Sequence, residues 1–108
     1  MGNIKRFETP TLPITLRYKD GTVADDYVFD FLIFTIENNK KRIDKRVEYS
    51  EVTEGKFNIE FTQEETGSLV DGSVYEIQLN IMIGEDRVPT DIQRGKVERN
   101  LYNEVIIV

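Results

Sequence analysis

Tyr75-Glu76-Ile77-Gln78-Leu79-Asn80-Ile81-Met82-Ile83 is the stretch that decides the fold. In an extended chain Tyr75, Ile77, Leu79, Ile81 and Ile83 fall on one face, and Glu76, Gln78, Asn80 and Met82 on the other. That is the period of a strand with one buried side. Upstream, Phe57, Ile59 and Phe61 alternate with Asn58 and Glu60, predicting a second half-buried strand after a turn at Glu54-Gly55. Between the two, Thr62-Gln63-Glu64-Glu65 fits a capping box. The Thr62 hydroxyl can take the Glu65 amide proton, and the Glu65 carboxylate can reach back to the Thr62 amide. A single helical turn is expected there, because Gly67 follows and Asp71-Gly72 reads as the next turn. Leu69 is placed to anchor this crossing in the core.

The same reading extends outward. Leu12, Ile14, Leu16 and Tyr18 alternate with Pro13, Thr15, Arg17 and Lys19 up to an Asp20-Gly21 turn, which gives a first strand with Tyr18 on its packed side. Tyr27 to Ile36 is apolar on both faces, the signature of a central strand covered on both sides, and it ends at Asn38-Asn39. Lys41 to Tyr49 reads as its hairpin partner, and Lys40, Lys41, Arg42, Lys45 and Arg46 place that partner at an edge. Beyond Gly84-Glu85-Asp86, one last strand is expected over Thr90 to Arg99. Pro89 stands just before it, and Gly95 marks a bulge or a close backbone approach. Val105, Ile106, Ile107 and Val108 form an apolar end that needs either the domain or a partner to cover it.

About seven short strands, one helical turn and no room for a βαβ unit predict an all-β chain. The expected architecture is a single immunoglobulin-like antiparallel β-sandwich over residues 1–108, whose crossover between sheets runs from Phe61 to Val74. A small β-barrel is the alternative. The chain has 108 residues, enough for one core without disulfides, and it contains no cysteine. It also lacks histidine, which removes Ser-His-Asp and Cys-His catalysis, ordinary zinc sites and histidine-ligated haem. No cofactor is expected. A net charge of −6 disfavours nucleic acid and anionic membranes as partners. No stretch has the length of a membrane span, and no secretion signal is read at the amino terminus.

Three segments together carry a resemblance. They are Thr9-Pro10-Thr11-Leu12-Pro13, Phe61-Thr62-Gln63-Glu64-Glu65-Thr66 with the strand Val74 to Ile83 and the following Asp86-Arg87-Val88-Pro89-Thr90, and Leu101-Tyr102-Asn103-Glu104-Val105-Ile106. The chain resembles small prophage proteins of Firmicutes over Thr9 to Ile106, and is similar to the amino-terminal immunoglobulin-like domain of phage baseplate upper proteins. It departs from that pattern in Phe61, where leucine is usual, and in Gly67 and Ser68, where larger apolar residues are expected. The resemblance implies a non-catalytic structural or assembly protein of a phage particle, from the tail or baseplate. Such a protein would sit in the host cytoplasm before assembly and in the virion afterwards, and its partners would be other particle proteins or copies of itself.

The residues themselves leave other uses open. The basic run from Lys40 to Arg46 can contact an acidic partner, or be a solvated edge that discourages pairing. Asp20, Asp25, Asp26, Asp71 and Asp86 match no EF-hand spacing and read first as turn and surface residues. Glu64 and Glu65 are the nearest approach to a catalytic carboxylate pair, but capping accounts for Glu65, and a chain with short turns has little loop material for a cleft. No enzyme is expected. The tyrosines could build a sugar-stacking platform, which makes a carbohydrate- or surface-binding module the alternative function. Thr62, Glu65, Leu69 and Gly72 are therefore structural candidates, and Val105, Ile106, Ile107 and Val108 the candidate partner contact.

Overall fold

The structure, a computed structural model, describes residues 3–70 and 72–98. Its described strands are β1 (Ile4–Lys5), β2 (Thr11–Thr15), β3 (Phe31–Asn38), β4 (Lys41–Glu48), β5 (Lys56–Glu60), β6 (Val74–Ile83), β7 (Asp86–Pro89) and β8 (Gln93–Glu98). They are joined by one short helix, α1 (Gln63–Gly67), and a single 3-10 turn at Tyr49–Glu51. The larger sheet has the order β1-β8-β6-β3-β4, with β7 also on β6, and the smaller sheet pairs β2 with β5.

The decisive stretch forms β6, and its alternation is realised. Tyr75, Ile77, Leu79 and Ile81 are buried, and they meet Leu32, Phe34 and Ile36 of the neighbouring β3 from the same side. Ile14, Phe57 and Ile59 descend from the small sheet onto this row, so the core lies between the two sheets. The all-β sandwich expected from the pattern is thus present, and among the described residues it is left open along both long sides in the manner of a half-barrel. Residues 61–70 and 72–73 lie on the crossing from the small sheet to the large one, as anticipated, with Leu69 buried beneath it.

Several details differ from the expectation. β1 runs parallel to β8, Ile4 opposite Val97, so the sandwich is not wholly antiparallel. The central strand starts at Phe31 and not at Tyr27. Among the described residues no second layer covers its outer face. Phe31, Ile33 and Thr35 are half-buried, roofed by neighbouring stems such as Arg46, whose guanidinium lies 3.7 Å from the centre of the Phe31 ring.

The closing strand is also divided. β7 ends at Pro89, and β8 begins only at Gln93. Thr90 keeps contact with β6 across the break, its amide donating to the Leu79 carbonyl and its hydroxyl accepting from the Leu79 amide, at 2.9 and 3.0 Å. Gly95 is the close approach expected of it. It lies opposite Tyr75, and a Cβ there would sit 2.2 Å from the phenol carbon and oxygen.

Candidate interaction surfaces

The capping segment folds as the spacing predicted. Thr62 Oγ1 accepts from the Glu65 amide at 3.2 Å, and Glu65 Oε1 accepts from the Thr62 amide at 2.9 Å. Lys45 of β4 adds an ion pair of 2.6 Å to the same carboxylate, tying the edge strand to α1. Burial works against the charge on Glu65. The Lys45 ammonium and the Thr62 amide outweigh it and hold the carboxyl below its ordinary value. Gly72 takes a positive φ of 73° and donates its amide to the Val97 carbonyl. These residues fix how the chain passes between sheets, which is a structural role.

The small size of Gly67 has a local cause. A Cβ there would fall 2.3 Å from the Phe7 ring, while Arg6 Nη2 donates to the Gly67 carbonyl at 2.9 Å. The amino-terminal segment is clamped over α1, and a larger residue has no space. Thr66 completes the clamp, buried, with its hydroxyl donating to the Glu8 carbonyl at 2.7 Å.

Asn38 has a role that sequence reading missed. It appeared there as a turn residue, yet it is buried with both ends of its amide engaged. Its Nδ2 donates to Ser73 Oγ and the Val74 carbonyl, and its Oδ1 accepts from the Val70 amide. The signal available in the sequence was only an asparagine at a strand end, which ordinarily marks a turn.

Among the described residues, two open sides flank the sandwich. On one, a groove of about 710 Å³ lies between β2 and the β6–β7 hairpin, with Ile14, Leu16, Leu79, Ile81 and Val88 among its lining. Tyr18 and Tyr27 also reach it. Tyr18 is not the core residue its alternation suggested: the β2 ladder stops at Thr15, and Tyr18 is 40% exposed. Its phenol donates to Asp26 at 2.5 Å, which, with lesser burial and nearby acidic charge, pushes its pKa up to about 12.

Both strand edges bordering this groove carry a proline. The Pro10 carbonyl and Leu16 amide bond toward β5. By alternation the peptide groups of Thr11, Pro13 and Thr15 therefore face outward. In β7, Thr90 bonds inward to Leu79, so Pro89 faces outward too. Each proline lacks its N–H where a further strand would require one.

The opposite side is different. The outer edge of β4 and the outer edge of β5 border a smaller groove of about 370 Å³, lined by Arg46, Val47, Glu51, Asn58 and Glu60 among others, and neither strand contains proline. The basic run expected to be a solvated edge does form one, but its charges are matched in place. Arg42 meets Asp44 at 3.2 Å, and Arg46 meets Glu48 at 2.5 Å.

Of the acidic turn candidates, Asp20 accepts from the Thr22 amide and hydroxyl, which lowers its pKa. Asp26 is engaged by Tyr18. Asp71 lies outside the described residues, as does the candidate partner contact Val105 to Val108. Among the described residues no helix is long and apolar enough to cross a membrane.

No known protein family, curated protein or solved structure matches this chain.

Proposed function

We propose that the chain is a non-catalytic structural or assembly protein of a phage or prophage particle, from the tail or baseplate, that works by protein–protein contact. The observation that carries this reading is that, among the described residues, the sandwich is open on both long sides, with an apolar-lined groove on one and a proline-free strand edge on the other. Surfaces of this kind in a small acidic domain are completed by other protein. The resemblance over Thr9 to Ile106 supplies the particle. On this reading the protein resides in the host cytoplasm until assembly and in the virion thereafter. Deleting the gene from an inducible prophage tests the proposal. Particles should then lack a tail or baseplate component by electron microscopy and recover it on complementation, whereas intact, infectious particles refute the reading.

A second reading, a carbohydrate- or surface-binding module, is favoured by Tyr18 and Tyr27 beside Gln78, Asp91 and Gln93 in the groove wall. Aromatic rings with amide and carboxylate neighbours are what a sugar would need. A glycan array decides it: binding lost on Tyr18→Ala supports this reading, and a blank array removes it.

A further inference from the structure

We infer that the outer edge of β4 pairs with the same edge of a second copy of this chain, in antiparallel register about a two-fold axis through Lys45. The inference rests on the contact-making role proposed above and names its partner.

Backbone direction comes first. The Tyr49 amide bonds to the Asp30 carbonyl within the sheet, and Lys45 lies opposite Phe34. Odd-numbered residues of β4 therefore turn their peptide groups toward β3, and Arg42, Asp44, Arg46 and Glu48 turn theirs outward. Among the described residues no strand pairs with this edge. The open edges bordering the opposite groove are interrupted by Pro13 and Pro89, whereas the eight residues of β4 contain no proline.

Charge then selects the register. Two antiparallel copies can bond only if outward-facing residues oppose one another. With the axis at Lys45, Arg42 faces Glu48 of the second copy and Asp44 faces its Arg46, opposite charges along the whole edge. A shift of the axis by one residue toward Asp44 sets Arg42 against Arg46 and Asp44 against itself. A shift the other way sets Asp44 against Glu48 and Arg46 against itself. Cross-strand like charges destabilise and opposite charges stabilise, so one register stands out from its neighbours. On the other face Ile43 meets Val47. The Lys45 pair is the exception, and each of those ammonium groups is already bound to its own Glu65.

The bonding is consistent with existing contacts. Asp44 and Arg46 exchange backbone bonds with their mates, and the Arg42 amide donates to the Glu48 carbonyl. The Glu48 amide remains with the Glu51 carboxylate at 3.2 Å. An edge rich in one charge would repel a copy of itself; alternating signs reverse that effect, and only the Lys45 axis matches all four outward charges of β4, axes at Ile43 or Val47 matching two. The product is a sheet running unbroken through both copies, an isologous interface.

The chain contains no cysteine, so Lys45→Cys introduces a single thiol. At the axis, two such residues form a non-hydrogen-bonded pair about 4.5 Å apart at Cα, within disulfide range. Ile43→Cys faces Val47 instead, and its own copy lies about 13 Å away along the strand, out of reach. The expected result is a dimer mass for the native chain by sedimentation equilibrium, rapid disulfide dimerisation of the Lys45 variant and none of the Ile43 variant. Asp44→Lys should weaken the dimer about tenfold, since two symmetry-related charge pairs are reversed together.

A native chain that stays monomeric at high concentration overturns the inference, as does a dimer that disappears when the chain ends at Glu104, which would assign the contact to Val105 to Val108. Either outcome leaves the particle role to be judged by the deletion experiment alone.

Discussion

Gly95→Ala offers the sharpest test of how the two halves of the large sheet are locked. Gly95 lies directly opposite Tyr75, which is fully buried. The phenol ring passes over the glycine so closely that an added Cβ would stand 2.2 Å from Cζ, 2.2 Å from Oη and 2.4 Å from Cε2. Ordinary contact begins near 3.4 Å, so one side must move. The ring cannot swing out easily, because its body is packed among core residues. The backbone of β8 cannot retreat without breaking the pairing of Val74 with Lys96 and of Glu76 with Arg94. Overpacking of this kind costs about 1–3 kcal/mol, and the rigid neighbours put this case at the upper end. For a domain near 100 residues that corresponds to a fall in Tm of roughly 10–20 °C.

Thermal melting by circular dichroism measures it. Combining the change with Tyr75→Leu separates a clash from a general intolerance of side chains in β8. The leucine alone loses stability by leaving space, but it removes the atoms that the added methyl group would strike, so the double variant should be more stable than the sum of the two losses implies. An unchanged Tm for Gly95→Ala, or strictly additive losses, refutes the close approach.

Leu79→Ala should cost about 2–5 kcal/mol in chemical denaturation, as truncation of a buried leucine does. Gln78→Ala on the opposite face should cost only about 1 kcal/mol, the value of its 2.8 Å bond to the Thr90 carbonyl; equal losses would show the strand to be turned over. Glu65 has a lowered pKa, so its pairing contributes stability above the ordinary value of 4.5 that is lost as pH falls through the lower folded value. Glu65→Gln should flatten the acid limb of a stability–pH curve, and an unaltered curve would contradict the Lys45 link. Ultraviolet titration should find Tyr18 ionising near 12, with burial also raising Tyr75. Asp26→Asn should bring Tyr18 back toward 10.0, and no change would show that Asp26 is not the cause.

Much of this architecture was legible because alternation over a long strand is hard to mistake. Tyr75 to Ile81, Phe57 to Phe61 and the reciprocal caps of Thr62 and Glu65 each follow from local spacing. What stayed hidden depends on distant partners. Alternation continues past Thr15 to Tyr18, but where the ladder stops is set by the end of pairing with β5, not by side-chain polarity. The division of β7 from β8 is invisible because Thr90 substitutes a hydroxyl for a ladder group. Gly67 looked like a departure until Phe7, far away in sequence, was seen lying on it. The candidate surfaces divide in the same way. Signs of charge along Arg42 to Glu48 are in the sequence, but which peptide groups face outward is known only from the pairing with β3.

The proposed role is tested most directly by counting this chain in particles. After induction, gradient-purified virions from a strain carrying the gene would be quantified by mass spectrometry against a known tail protein. The account predicts that the chain co-sediments with the particles at a fixed ratio, which persists after a high-salt wash. Recovery only in the soluble fraction, with none in the purified particles, would contradict it.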